Sequence, residues 1–230
     1  MKRFKKILCY VGGPADPSPG LERAAELAER NAARLTLVDV LAESTEGPWL
    51  IVPGRSQLEK MVVTSRIQDL EEMADRLRQR GLQVDIIVTT GNPFYELIRR
   101  AVIDGHDLVI KTAQGLESRI GGLLGTTALH LMRKCPCPVW VVKPPAAEPF
   151  NRVLAAVDPQ LDTGDPDPLS VKVLQLAASI AESRGSELHV VHAWWLHSEA
   201  MLRSRRINLP PAEIDGLLRE VRGAAEQALD

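Results

Sequence analysis

Residues Asp107–Lys143 read DLVIKTAQGLESRIGGLLGTTALHLMRKCPCPVWVVK. A short apolar strand, Leu108–Ile110, runs into a glycine-bearing loop. The loop ends at Gly125-Thr126-Thr127, which opens a helix that stops near Lys134. A Cys-Pro-Cys-Pro turn then leads into a second strand, Val139–Val142. A strand, a glycine loop and a helix N-terminus in this order can hold a phosphate. Glycines let the backbone approach closely, and the helix end presents N–H groups and the positive end of its dipole.

Upstream, the same alternation repeats. Lys6–Val11 is a continuous apolar run, as a buried parallel strand should be. Gly12–Pro19 is a Gly/Pro loop, Leu21–Asn31 an Ala/Leu/Glu-rich helix, and Leu35–Leu41 a second apolar strand. After the irregular stretch Glu43–Pro53, a long helix is expected over Gln57–Arg80, with Val63, Ile67, Leu70, Ala74 and Leu77 on its inner face. Gly81 stops it, and Val84–Val88 is the third strand. Asn92-Pro93 caps a helix reaching Ile103. Strands alternating with helices imply an α/β fold with an open, mainly parallel five-stranded sheet in a Rossmann-like layout. Ligands in such folds bind beyond the carboxyl ends of the strands, where the strand order switches.

After Pro144-Pro145 the pattern restarts. Arg152–Asp158 (RVLAAVD) matches Lys6–Gly12 (KILCYVG), and Ile180–Ala193 matches Leu27–Val40. A Pro/Asp-rich loop, Leu161–Pro168, accommodates the longer spacing in the second copy. An internal repeat is strong support for an architecture. The expected domains are a complete one, residues 1–146, and the front half of another, residues 147–230. The second copy closes with a helix at Pro211–Leu229 and has no counterpart of the later strands or of the glycine loop.

Bulk properties narrow the function classes. The 230 residues carry a formal charge of −2, with 45% apolar and 25% charged residues, so a full core is affordable and no basic excess points to nucleic acid. No apolar run reaches the roughly 18 residues of a membrane span. Ile7–Gly13 is too short for a signal-peptide core, and a cytoplasmic protein is expected. Three cysteines, Cys9, Cys135 and Cys137, fit a reducing compartment. Cys9 reads as a small buried hydrophobe. Cys135 and Cys137 are spaced too closely for an ordinary disulfide and lack a second ligand pair for zinc, so a rigid turn is expected there, with a metal or redox role as the alternative.

On the segments NPFYELI (Asn92–Ile98), GHDLVIK (Gly105–Lys111) and HLMRKCPCPVWVVK (His130–Lys143), together with the repeat, the chain resembles the universal stress protein family in its tandem-domain type. The resemblance covers one whole domain, about Arg3–Lys143, and half of a second. It implies the adenine nucleotide alpha hydrolase-like version of the layout and a stress-response role. The family's nucleotide signature is Gly-x2-Gly-x9-Gly-[Ser/Thr]. Anchored on Gly125-Thr126, its middle glycine is Gly115 and its first position is Thr112, so the motif is one glycine short. Nucleotide-binding members carry an Asp at the end of the first strand, where this chain has Gly12; Val40 ends the second strand, where backbone meets adenine. The implied nucleotide or phosphate site is therefore Gly12, Val40, Thr112, Gly115, Gly125, Thr126 and Thr127.

Losing the charged hydrogen bond removes about 1.5–3 kcal/mol. If the first glycine needs a positive φ, Thr there costs roughly 1–2 kcal/mol more. No cofactor is required on this reading, and ATP or AMP is expected to bind weakly at most. Exchanging Gly12 for Asp and Thr112 for Gly is expected to strengthen binding. Asp158 keeps the family Asp in the second copy, which has no glycine loop.

Lys111 and Arg119 flank the loop and stand either near phosphate oxygens or in solvent. His106 reads as a cap or surface residue, and His130 as a packing or exposed one. His189 and His192 should face opposite sides of a strand, which disfavours a shared metal site. Asp39 either pairs with a neighbour or marks the cleft. Trp49, Trp194 and Trp195 suit either an interface or ordinary packing. No nucleophile elbow, Walker lysine or zinc helix motif is present. Three functions compete: a nucleotide-binding stress protein with a degraded first site, a dimeric interaction module independent of nucleotide, and, last for want of a general base near the loop, a weak ATPase. The incomplete second copy favours a homodimer.

Overall fold

The computed structural model describes residues 3–12, 19–42, 55–113, 125–143, 150–158, 167–195, 199–203 and 209–227. These divide into two compact units, residues 1–147 and 148–230.

The first unit runs β1 (Lys6–Tyr10), α1 (Pro19–Asn31), β2 (Arg34–Leu41), α2 (Arg55–Gln79), β3 (Val84–Thr90), α3 (Pro93–Ile103), β4 (Leu108–Thr112), α4 (Thr126–Lys134) and β5 (Val139–Val142). All five strands are parallel, in the order β3-β2-β1-β4-β5. The chain moves outward from β1 to β3, then returns to the other side of β1 for β4. The order therefore switches between β1 and β4, and the carboxyl ends of these two strands frame the crevice such sheets use for ligands.

Alternation along the strands sorts the core into two layers. Ile7, Cys9, Leu35, Leu37, Leu108 and Ile110 pack with Ala24 and Ala28 of α1 and Leu70, Ala74 and Leu77 of α2. Leu8, Val38, Val40 and Val109 pack with Leu97 and Ala101 of α3 and Leu131 of α4. Asn92 caps α3 as its sequence indicates: its side chain accepts from the Phe94 N–H, and Pro93 opens the helix.

The inner face of α2 departs from the sequence expectation. Leu70, Ala74 and Leu77 are buried, but Ile67 is 40% exposed and Arg66 is buried in its place. The reason is electrostatic. Arg66 ion-pairs with buried Asp39 on β2, and its other arm donates to the Val11 carbonyl at 2.7 Å. Asp39 is thus a pairing residue. Two charged groups can share an interior only when hydrogen-bonded to each other and to the backbone around them.

The second unit contains β6 (Arg152–Ala156), α5 (Pro168–Arg184), β7 (Glu187–Val191), a short helix α6 (Glu199–Leu202) and α7 (Pro211–Gln227). Strands β6 and β7 form a parallel two-stranded sheet. Asp167 caps α5 by accepting from the Ser170 N–H, and Gly185 ends it in the left-handed conformation. Among the described residues β6 pairs only with β7, whereas its counterpart β1 lies between two strands. Leu154 is 66% exposed, and Leu188, Val190 and Val191 are also exposed.

Candidate functional site

The sheet brings Gly12, Val40 and Thr112 to one edge. They stand at the carboxyl ends of β1, β2 and β4, which are adjacent in the order β2-β1-β4. Gly125, Thr126 and Thr127 open α4, the crossover helix after β4, whose N-terminus is directed at that same edge. Gly125 has φ 76° and ψ 154°, a backbone conformation that suits glycine, and offers the helix no side-chain cap. The first-turn N–H groups thus have no acceptor from the cap residue, which suits an anion. Gly115 and Arg119 lie outside the described residues.

The two positions where the motif departs from the family are occupied by this chain's own side chains. Tyr10 folds over Gly12: a Cβ built on Gly12 would lie 2.5 Å from both Cζ and Oη of the ring. Gly12 itself has no positive φ, so a side chain there would meet the Tyr10 ring and not a backbone restriction, and the ring would have to move. Thr112 turns toward α1. Its Oγ1 accepts the Gly20 N–H at 2.9 Å and closes the start of that helix. A Cβ on Gly20 would lie 2.5 Å from that oxygen and 3.0 Å from the Thr112 nitrogen, so α1 approaches β4 as closely as it does because residue 20 is glycine. Thr112 lies within strand β4, and among the described non-glycine residues only Ala32 has a positive φ. Thr112 thus keeps an ordinary strand conformation, and its hydroxyl is engaged by α1.

Lys111 is buried, which removes one of its two readings, a charge in solvent. Its Nζ donates to the Thr112 carbonyl at 2.8 Å and lies 5.6 Å from the centre of the Tyr10 ring. Tyr10 and Lys111 are register partners on β1 and β4, which explains the contact. Burial lowers the lysine pKa. Burial also raises that of Tyr10, with the Asp39 charge adding to it and Arg66 opposing. The Lys111 ammonium thus lies beside the Tyr10 phenol at the end of β1.

The remaining candidates resolve plainly. His106 is buried and not a surface cap. Its Nδ1 faces the Arg100 carbonyl at 3.3 Å, and its Nε2 faces Thr36 Oγ1 at 3.0 Å. A carbonyl only accepts, so Nδ1 donates, and the neutral ring takes the Thr36 hydroxyl proton on Nε2. Burial lowers its pKa. This histidine lines a cavity of about 290 Å³ with Arg34, Thr36, Asp85 and Arg100 at the opposite, amino-terminal edge of the sheet. His130 is exposed and stacks on Phe94, ring centres 4.6 Å apart. His189 meets Glu187, while His192 Nδ1 donates to the Val157 carbonyl at 3.1 Å. Among the described residues no three His, Cys, Asp or Glu side chains cluster as a metal site. Cys9 is fully buried, and burial pushes its pKa up to about 12. Trp195 is largely exposed, and Trp49 lies outside the described residues. Sequence reasoning missed Tyr10, Gly20 and Arg66, because their roles depend on which neighbour each meets across the sheet. No described helix is long and apolar enough to cross a membrane.

A five-stranded parallel sheet with its switch at β1/β4, and a glycine-opened helix after β4, define the class of α/β proteins with a nucleotide-type crevice. The chain belongs to the universal stress protein family: the family's model matches residues 3–143. Universal stress protein E of Photorhabdus laumondii is 29% identical over 200 residues, covering 84% of this chain and 63% of that protein. Its counterpart in Escherichia coli K12 is 28% identical over 198 residues, with the same coverage. The chain thus spans somewhat under two thirds of the length of these relatives. Among solved structures, a putative universal stress protein from Pseudomonas aeruginosa UCBPP-PA14 superposes with a TM-score of 0.64 at 20% identity, over 98% of this chain and 71% of that one. The universal stress protein UspA of Lactobacillus plantarum gives 0.52 at 21% identity, over 61% and 98%. These two likenesses concern the fold.

Proposed function

We propose that this universal stress protein acts in the cytoplasm by binding and not by turnover, with an adenine-nucleotide or phosphate crevice that its own side chains have partly filled. The observation that carries the reading is the pair of plugs: Tyr10 over Gly12 and the Thr112 hydroxyl on the Gly20 N–H. Family binders, by resemblance, need an Asp and a Gly there. What remains is the anion cup at Gly125, Thr126 and Thr127, with Gly115 in the loop before it and Val40 on the adenine side. Such a cup suits phosphate better than a whole nucleotide. On this reading residues 1–146 are a complete family domain and residues 147–230 the front half of another.

Calorimetric titration of the whole chain with ATP and AMP tests it. Dissociation constants weaker than about 100 μM, on the order of −5.5 kcal/mol, are expected. A constant of roughly 10 μM or tighter overturns the degraded-site reading. The second reading, a dimeric interaction module, is favoured by the exposed apolar side chains of β6 and β7 and the single strand neighbour of β6. Light scattering tests it, with a homodimer expected. Phosphate release from ATP above background, abolished by Gly115→Val, would instead establish an ATPase.

A further inference from the structure

The turn between α4 and β5 brings two thiols together. The Sγ atoms of Cys135 and Cys137 are 3.6 Å apart, although spacing alone had favoured a rigid turn. Cys135 is the C-cap of α4, with φ −72° and ψ 131°, and its N–H returns to the Leu131 carbonyl at 2.8 Å. The capped helix end and Pro136 hold the first thiol against the second. Both cysteines are half-buried against the core, and Pro136 between them is exposed.

From this contact we infer that Cys135 and Cys137 form a reversible dithiol–disulfide couple, oxidised by a low-molecular-weight disulfide. The roles differ. The hydrogen bond between the two sulfurs lowers the Cys135 pKa to about 7 and raises that of Cys137. Within the proposal Cys135 is the attacking thiolate and Cys137 the resolving thiol. In the first step the Cys135 thiolate attacks one sulfur of the oxidant, whose S–S bond breaks and which releases one thiolate. In the second, the Cys137 sulfur attacks Cys135 Sγ and displaces the other thiolate, and the Cys137 proton passes to it through water. The protein loses two protons and two electrons, and the oxidant takes them up to become two thiols. A bond closing over a single residue is strained, the kind that reductants reopen readily.

The experiment uses the whole chain, reduced and then freed of reductant. It is incubated with oxidised glutathione at pH 7, blocked with iodoacetamide and analysed by peptide mass spectrometry. The peptide holding both cysteines is expected two hydrogens lighter, without retained glutathione, and restored by dithiothreitol. Cys9, fully buried, should be alkylated only after denaturation. Cys137→Ser should stop at a glutathione adduct on Cys135. Cys135→Ser should likewise stop at a glutathione adduct, on Cys137, because no second thiol is left to resolve it. In the unaltered chain, the rate of Cys135 alkylation should rise with pH through a midpoint near 7. That measurement assigns the roles even if a serine variant folds poorly. A lasting glutathione adduct on the unaltered chain, or equal alkylation rates at Cys135 and Cys137, overturns the proposal.

Discussion

Tyr10 and Gly12 act as one unit at the end of β1, and their coupling is measurable. Gly12→Asp should force the ring off Lys111 and destabilise the fold by about 1–2 kcal/mol. Tyr10→Leu in the same chain should remove most of that penalty. Urea unfolding of the two singles and the double should give a coupling of about 1 kcal/mol; simple additivity would refute the contact. Arg66 and Asp39 pose a harsher case. Arg66→Met leaves a buried carboxylate and the Val11 carbonyl without their donor, and should cost about 3–5 kcal/mol. The double change Arg66→Met with Asp39→Val should recover at least about half of that loss, since no uncompensated charge remains. A double variant as unstable as the single would show that packing, and not the charge pair, sets this corner.

At the scale of elements, His106 fastens the start of β4 to β2 and to the last turn of α3. Its folded-state pKa is lowered by burial, so the neutral ring is the native form. Above the ordinary value of 6.5 both states are neutral and the full contribution is present. As pH falls below 6.5 the unfolded chain takes up the proton first, and stability declines until the folded pKa is passed. Unfolding free energy should therefore fall between pH 7 and pH 5, with a shallower slope in His106→Gln. Equal slopes in the two proteins would mean that other groups carry the acid sensitivity. Helix α4 links two features on one element: it opens at the candidate anion cup and closes at the Cys135–Cys137 pair.

At the scale of the whole molecule, the two units differ in how they treat apolar strands. The first covers both faces of its sheet with helices, as parallel sheets require. The second leaves Leu154, Leu188, Val190 and Val191 exposed and one edge of β6 without a strand among the described residues. Exposed apolar edges recruit partners. A fragment ending at Pro145 should therefore unfold cooperatively as a monomer, whereas residues 148–230 alone should associate or aggregate. Sedimentation of both fragments checks this. A monomeric second fragment with slow amide exchange through residues 152–191 would contradict it, since it would show the half-sheet to be self-sufficient.

The order of strands and helices, the parallel sheet, the cap at Asn92, the strand Val139–Val142 and the glycine opening of α4 were all legible from the sequence. Each rests on local signals: apolar runs of strand length, a capping residue, a helix-breaking Gly or Pro. The family and the two missing motif residues were legible for the same reason, since a motif is a spacing along one chain. What the spacing means at Gly12 and Thr112 was not legible. There the sequence shows only an absent Asp and an absent Gly, and the tertiary structure shows the Tyr10 ring against Gly12 and the Thr112 hydroxyl on the Gly20 N–H. The burial of Arg66 in place of Ile67, the enclosure of His106 and the meeting of Cys135 with Cys137 belong to the same class. Which side chain fills a cleft is decided by pairing across strands and by the depth at which a helix docks, and residues far apart in the chain settle both.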